Sequence, residues 1–261
     1  MVKPREPLVS IITLNYNQPQ LTREFLESTR KLCYTNFEIL VCDMASDQDP
    51  TLIINAAAYP NTRLLRSSKN LGYSAGNNWG IRQANGDYFF IVNNDTIVTP
   101  DLIGLLLKPF ELHPSVGVTS PKIKFYHQPE MIQYAGFNAM NPFTGRTSTI
   151  GEMQEDRGQY DKSGPTHASH GCAMMISRQA LEKAGMFPEK FFLYYEEWDL
   201  SARITKFGYT IWYAADAVIF HKESMSVGKE NPIMPLRNAV FRMSRIRPEL
   251  PSGPFVVATR K

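Results

Sequence analysis

Three carboxylates crowd into four residues at Glu196-Glu197-Trp198-Asp199, directly after the aromatic run Phe191-Phe192-Leu193-Tyr194-Tyr195. The spacing that follows predicts a helix starting there. Free N–H groups and the positive end of the macrodipole favour acids in a first helical turn. Glu196, Asp199 and Arg203 would share one face, with Asp199 and Arg203 paired at i,i+4. A carboxylate in that position could equally act as a general base. Glu197 lies on a different face, and the ion pair leaves it unexplained. Two other positions invite the same question. Asp95 closes the polar stop Asn93-Asn94-Asp95 after an apolar run, where an Asx-rich turn or a divalent-cation ligand for a diphosphate both fit. His221 ends the apolar run Ala217-Val218-Ile219-Phe220, as a packing residue or a metal ligand.

These residues need elements to carry them. Leu8–Tyr16, Phe37–Asp43, Thr62–Ser67 and Tyr88–Asp95 read as short apolar strands. Leu21, Phe25, Leu26 and Leu32 give helical spacing, and further helices are predicted from about Ser74 to Ala84 and after Pro100. The alternation predicts an α/β fold with a mostly parallel sheet covered on both faces. From Val116 to about Gly164 the pattern fades among Pro, Gly, Asn and Thr. Cys172–Ser177 then reads as a strand, Arg178–Ala184 as a short helix, and Tyr209–Phe220 as strand-like apolar runs. One domain over 1–261 is the simplest organisation, and the second half is the elaborated one.

Ligands of an open parallel sheet bind beyond the carboxyl ends of its strands. Thr13, Asn15 and Asn17 follow the first strand, and Asp43 and Ser46 the second. Lys69–Gly80 follows the third and Asn93-Asn94-Asp95 the fourth. Neither GxxxxGK[ST] nor a GxGxxG after the first strand is present, so the common phosphate-cradling loops are unsupported.

The composition, 43% hydrophobic and 20% charged, is that of a folded globular chain, and a net charge of +3 calls for no nucleic-acid partner. Cys33, Cys42 and Cys172 lack paired spacing and are expected to be reduced thiols of a cytoplasmic protein. No signal peptide or membrane-spanning run is expected. The basic tail with Arg237, Arg242, Arg245, Arg247, Arg260 and Lys261 reads as a solvated surface or a peripheral contact with the inner face of a membrane.

In series, these segments resemble the family 2 inverting glycosyltransferases, in particular a rhamnosyltransferase-like subgroup. SIITLNYN and VCDMASD look like the family's first two strands. SSKNLGYSAGNNWGIRQANGDYFFIVNNDT is similar to NxGFaxGNNxGixxAxGdyxxxLNxDT. GCAMMISRQALEKAGMFPEKFFLYYEEWDLSARITKFGY is similar to GxxmlirrxxfexvGxFDexFFxyxEDxDLxxRxxxxGy, and His221 fits the histidine that follows. There are departures: Asn93 and Asn94 stand where stricter versions have acids, Pro188 where the pattern has Asp, and Glu197 where it has the Asp of a Glu-Asp pair.

The resemblance implies a GT-A fold, a Rossmann-like nucleotide-sugar-binding architecture. Residues 8–99 would form the nucleotide-sugar half, 100–222 the acceptor and catalytic half, and 223–261 a C-terminal extension. It implies Thr13, Asn15, Asp43 and Ser46 at the base and ribose, and Asn70, Gly72 and Asn77 in a loop around nucleotide and sugar. Asn94 and Asp95 would meet the donor, with Asp95 and His221 holding a divalent metal, Mn2+ or Mg2+. Glu197 would be the base, Glu196 its partner and reserve, and Asp199 a support for metal or acceptor. The donor would be dTDP-rhamnose or a UDP-sugar, and the acceptor a glycan or lipid-linked hydroxyl. A nucleotidyltransferase and a noncatalytic sugar-nucleotide-binding protein are the alternatives.

Overall fold

The computed structural model describes residues 5–141 and 143–222, so the basic C-terminal extension lies outside the described residues. The first half alternates as expected: β1 (Val9–Asn15), α1 (Pro19–Thr29), β2 (Phe37–Asp43), a short α2 (Thr51–Ile54), β3 (Thr62–Arg66), α3 (Gly72–Arg82) and β4 (Tyr88–Val92). Then come β5 (Thr96–Val98), α4 (Leu102–Leu112), β6 (Val116–Phe125), β7 (Met131–Tyr134), β8 (Gln154–Glu155) and β9 (Gly164–Thr166). The chain continues through β10 (Ala173–Ser177), α5 (Arg178–Ala184), α6 (Glu196–Lys206) and β11 (Thr210–His221).

The main sheet runs β3-β2-β1-β4-β10-β6-β11-β5. It is parallel from β3 to β4 and again between β6 and β11, whereas β10 and β5 run against their neighbours. Both faces are buried. Ile11 packs with Phe25, Leu26, Leu102 and Leu106 on one side. Its neighbour Ile12 packs with Leu40, Ile81, Phe89 and Leu200 on the other. This two-sided burial is why β1, β2 and β4 read as unbroken apolar runs. Helix α3 lies close on β1, because a Cβ at Gly80 would come within 2.7 Å of Ile12.

The segment read as irregular contains the ten-residue strand β6 at the heart of the sheet. Its pattern is obscured by Thr119, Ser120 and Pro121. Thr119 and Ser120 are buried but bond the carbonyls of Leu106 (3.0 Å) and Ala173 (2.9 Å). Pro121 has no N–H to donate, and the register with β11 shifts between Ala214 and Val218 opposite it. The strand-like runs after Tyr209 thus form one bulged strand.

Register sets up the site. Asn15 pairs with Asp43 at the ends of β1 and β2, and His221 pairs with Thr96, next to Asp95. β1, β2, β4 and β11 point their carboxyl ends toward one edge, and β5 begins there.

Candidate active site

At the β1–β2 end, Asn15 and Asp43 are fully buried. Asp43 Oδ1 accepts from Asn15 Nδ2 (2.7 Å) and Ser46 Oγ (2.6 Å). Its Oδ2 accepts from the Ser46 amide (3.2 Å) and Arg66 Nε (3.3 Å). Such donors offset the cost of burying the carboxylate. Thr22 Oγ1 donates to Asn15 Oδ1 (2.9 Å) and accepts from Asn94 Nδ2 (2.9 Å), which extends the network to the end of β4. Sequence reasoning did not find Thr22, because a threonine inside an amphipathic helix gives no signal.

The next strand end supplies a turn. Asn70 Oδ1 accepts from the Gly72 amide (2.9 Å), and Asn77 Nδ2 donates to the Tyr73 carbonyl (3.0 Å). Gly72 has φ +72°, and a Cβ there would stand 2.6 Å from the Phe192 ring, so the turn demands glycine twice over. Asn78 fixes the other wall through the Phe187 amide (3.0 Å) and carbonyl (2.8 Å).

Asp95 and His221 meet where the start of β5 pairs with the end of β11. His221 Nε2 lies 3.1 Å from Asp95 Oδ1, and both side chains are buried. The other ring nitrogen, Nδ1, is 2.8 Å from Gln133 Oε1. An amide oxygen can only accept, so Nδ1 carries a proton and Nε2 is the nitrogen that faces the carboxylate. Neither Asp95 Oδ1 nor His221 Nε2 makes a hydrogen bond. Two acceptors at this distance need a positive charge between them, either a proton or a metal. Burial works against charging His221, yet the neighbouring Cys172 and Asp95 push its pKa up. That rise, to about 11, lets a proton shared between Nε2 and Oδ1 supply the charge, and a divalent cation would meet the same need. Among the described residues no group of three His, Cys, Asp or Glu side chains is placed to enclose one. Gln133 was not anticipated, since it lies on β7 within the segment whose pattern fades.

The carboxylates of α6 divide in character. Glu196 is 3% exposed. Burial, then the charge of Glu197, push its pKa up to about 8. Glu197 keeps partial access to solvent, and burial pushes its pKa up to about 7 against lowering by backbone N–H groups. Asp199, expected beside metal or acceptor, accepts from Arg203 Nε at Oδ2 (2.7 Å). Arg203 in turn caps the carbonyls of Ala184, Gly185 and Met186, tying α6 to the end of α5.

Five buried side-chain atoms lack a hydrogen-bond partner among the described residues: Thr13 Oγ1, Ser74 Oγ, Asp95 Oδ1, Glu196 Oε2 and His221 Nε2. Buried polar groups are nearly always satisfied. Thr13 lies near the end of β1, Asp95 between β4 and β5 and His221 at the end of β11, while Ser74 and Glu196 lie in the first turns of α3 and α6. A polar ligand bound here would give them partners.

The α/β sheet, with polar groups at its carboxyl edge and a carboxylate pair at a helix start, has the GT-A fold. A model of the family "Glycosyl transferase family 2" matches residues 10–185. The chain belongs to that family and is a glycosyltransferase. It is 24% identical over 243 residues to N-acetylglucosaminyl-diphospho-decaprenol L-rhamnosyltransferase of Mycobacterium tuberculosis, covering 85% of this chain and 78% of that protein. Two solved structures share the fold. One is the mannosyltransferase PcManGT of Pyrobaculum calidifontis in complex with GDP-Man and Mn2+, with TM-score 0.63, 20% identity and coverage of 84% of this chain and 58% of that one. The other is GalNAc-T7 with UDP, GalNAc and Mn2+, with TM-score 0.68, 15% identity and coverage of 84% and 44%. This chain thus spans about half the length of those two solved chains. Among the described residues no helix is long and apolar enough to cross a membrane.

Proposed function

We propose that this enzyme transfers a sugar from a nucleoside diphosphate sugar to a hydroxyl of a glycan or lipid-linked acceptor, with inversion at the anomeric carbon. The observation that carries the reading is the set of five orphaned buried atoms, above all Asp95 Oδ1 facing His221 Nε2. Asp95 and His221 would hold a divalent metal, Mn2+ or Mg2+, and a bound metal offsets charge on a leaving diphosphate. Residues 8–99 form the donor half in this reading. Asn15, Asp43, Ser46 and Asn94 shape the base and ribose pocket from within their own network, while Thr13 Oγ1 and Ser74 Oγ remain free to bond the donor. The turn of Asn70, Gly72 and Asn77 lies over it.

Residues 100–222 form the acceptor half. Glu197, partly open to solvent, takes the proton of the attacking hydroxyl, and its pKa near 7 suits that task. Glu196 stays neutral beside it, which keeps two negative charges from competing in one buried place. Asp199 positions the helix through Arg203. A single in-line displacement inverts the anomeric centre without a covalent intermediate. The relative, an L-rhamnosyltransferase named for a decaprenol-linked substrate, supports an activated rhamnose, taken here as dTDP-rhamnose, and a lipid-linked acceptor, with a UDP-sugar as the second choice.

Thermal-shift binding with UDP-, dTDP- and GDP-sugars, each with and without Mn2+, tests this. A donor at 100 times its Kd stabilises by about 2.7 kcal/mol. That moves the midpoint of a domain this size by about 5–10 °C. The expected result is a Mn2+-dependent rise for one donor that Asp95→Ala abolishes. No response across the panel would sink the reading.

A further inference from the structure

The geometry points to Tyr73 as a positioning residue for Glu197, acting through the backbone of Gly171. The inference rests on Glu197 being the base. Tyr73 lies in the first turn of α3, on the donor side, and joins three segments far apart in sequence. Its amide donates to the Phe192 carbonyl at 2.8 Å, in the aromatic run that leads into α6. Its hydroxyl donates to the Gly171 carbonyl, in the turn that leads into β10. Its ring stands edge-on to Phe187, with centroids 6.1 Å apart.

Gly171 is where Tyr73 and Glu197 come together. A Cβ on that glycine would lie 3.9 Å from the Tyr73 hydroxyl, 3.9 Å from Glu197 Cδ and 4.0 Å from Glu197 Oε2. The carboxylate and the hydroxyl therefore flank the same glycine, both at van der Waals distance from where its Cβ would stand. The Tyr73 hydroxyl is held protonated by its burial and by the charges of Glu196 and Glu197, so it remains a donor to Gly171 at every working pH.

Glu197 carries one more rotatable bond than an Asp would. A longer carboxylate has more rotamers to choose among, and a fixed wall limits them. Without the Tyr73 hydroxyl the Gly171 carbonyl loses its donor, and the wall against which Glu197 is set loosens.

The test is a double-mutant cycle of Tyr73→Phe, Glu197→Asp and both together, with Glu197→Gln as control. Turnover is read as nucleoside diphosphate released from the UDP-, dTDP- and GDP-sugar panel with Mn2+. Tyr73→Phe is expected to lower kcat about tenfold with donor KM within about twofold. Its acid limb should move to lower pH, because water admitted beside Glu197 relieves the burial that raises its pKa. Glu197→Asp alone should lose about tenfold or more, and the double variant should be no worse than the poorer single one, since contacting residues couple. Losses that multiply, with an unmoved pH profile in Tyr73→Phe, overturn the inference and leave the base assignment standing. Near-parent turnover in Glu197→Gln removes the base assignment, and the inference falls with it. If no donor turns over, the same cycle read by urea unfolding decides: coupled midpoints support the link and additive ones overturn it.

Discussion

Replacing Glu196 by Gln should make the protein more stable at alkaline pH. In the unfolded chain this carboxyl ionises near its ordinary 4.5, whereas in the fold burial, then the charge of Glu197, push it up to about 8. The native state holds the proton more tightly, so the associated stability is fully present below 4.5 and is lost as pH rises through 8. At about 1.4 kcal/mol per pH unit that interval amounts to about 5 kcal/mol. Proton sharing with Glu197 reduces it to about 2–3 kcal/mol. Gln has the shape of the neutral acid and cannot ionise, and Oε2 of Glu196 has no donor to lose. Urea unfolding of the parent and Glu196→Gln at pH 5, 7 and 9 reads the difference directly. The two should lie within about 1 kcal/mol of each other at pH 5, with the variant ahead by about 2–3 kcal/mol at pH 9. A difference that stays constant from pH 5 to 9 would refute the reasoning.

Two further substitutions probe the scaffold of the site. Gly72→Ala forces a side chain into φ +72° against the Phe192 ring. It should cost about 1–3 kcal/mol in urea unfolding and weaken donor binding in the thermal-shift assay; parent-like values in both would contradict the strain argument. Thr22→Val removes the hydroxyl that links Asn15 to Asn94 and leaves two buried amide groups short of a partner. A loss of about 1–3 kcal/mol is expected, and a neutral effect would show that the network tolerates the gap.

Much of this protein was legible in the residues alone. Ile11 and Ile12 bury on opposite faces of the sheet, so β1 had to read as a continuous apolar run, as did β2 and β4. Acids at the start of α6, the Asn-rich turn before α3 and the polar stop after β4 are local chemistry, and local chemistry is written in short stretches. The family pattern set these motifs in order. Tertiary structure decided the rest. Strand β6 is central yet carries Thr119, Ser120 and Pro121, whose polar or missing groups are accommodated by distant carbonyls and a bulge in β11. Thr22 joins the Asn15 network and Gln133 meets His221, each through a partner on another element of the fold. The same holds for the carboxylates of α6. Glu196 and Glu197 are adjacent and identical in type, and only packing buries one fully and leaves the other partly open. Asp95 and His221 lie 126 positions apart, and it is the pairing of β11 with β5 that brings their orphaned atoms to 3.1 Å. Sequence determines which side chains can do chemistry, because that is a property of each residue; strand register and burial determine which of them meet, because those are properties of the folded chain.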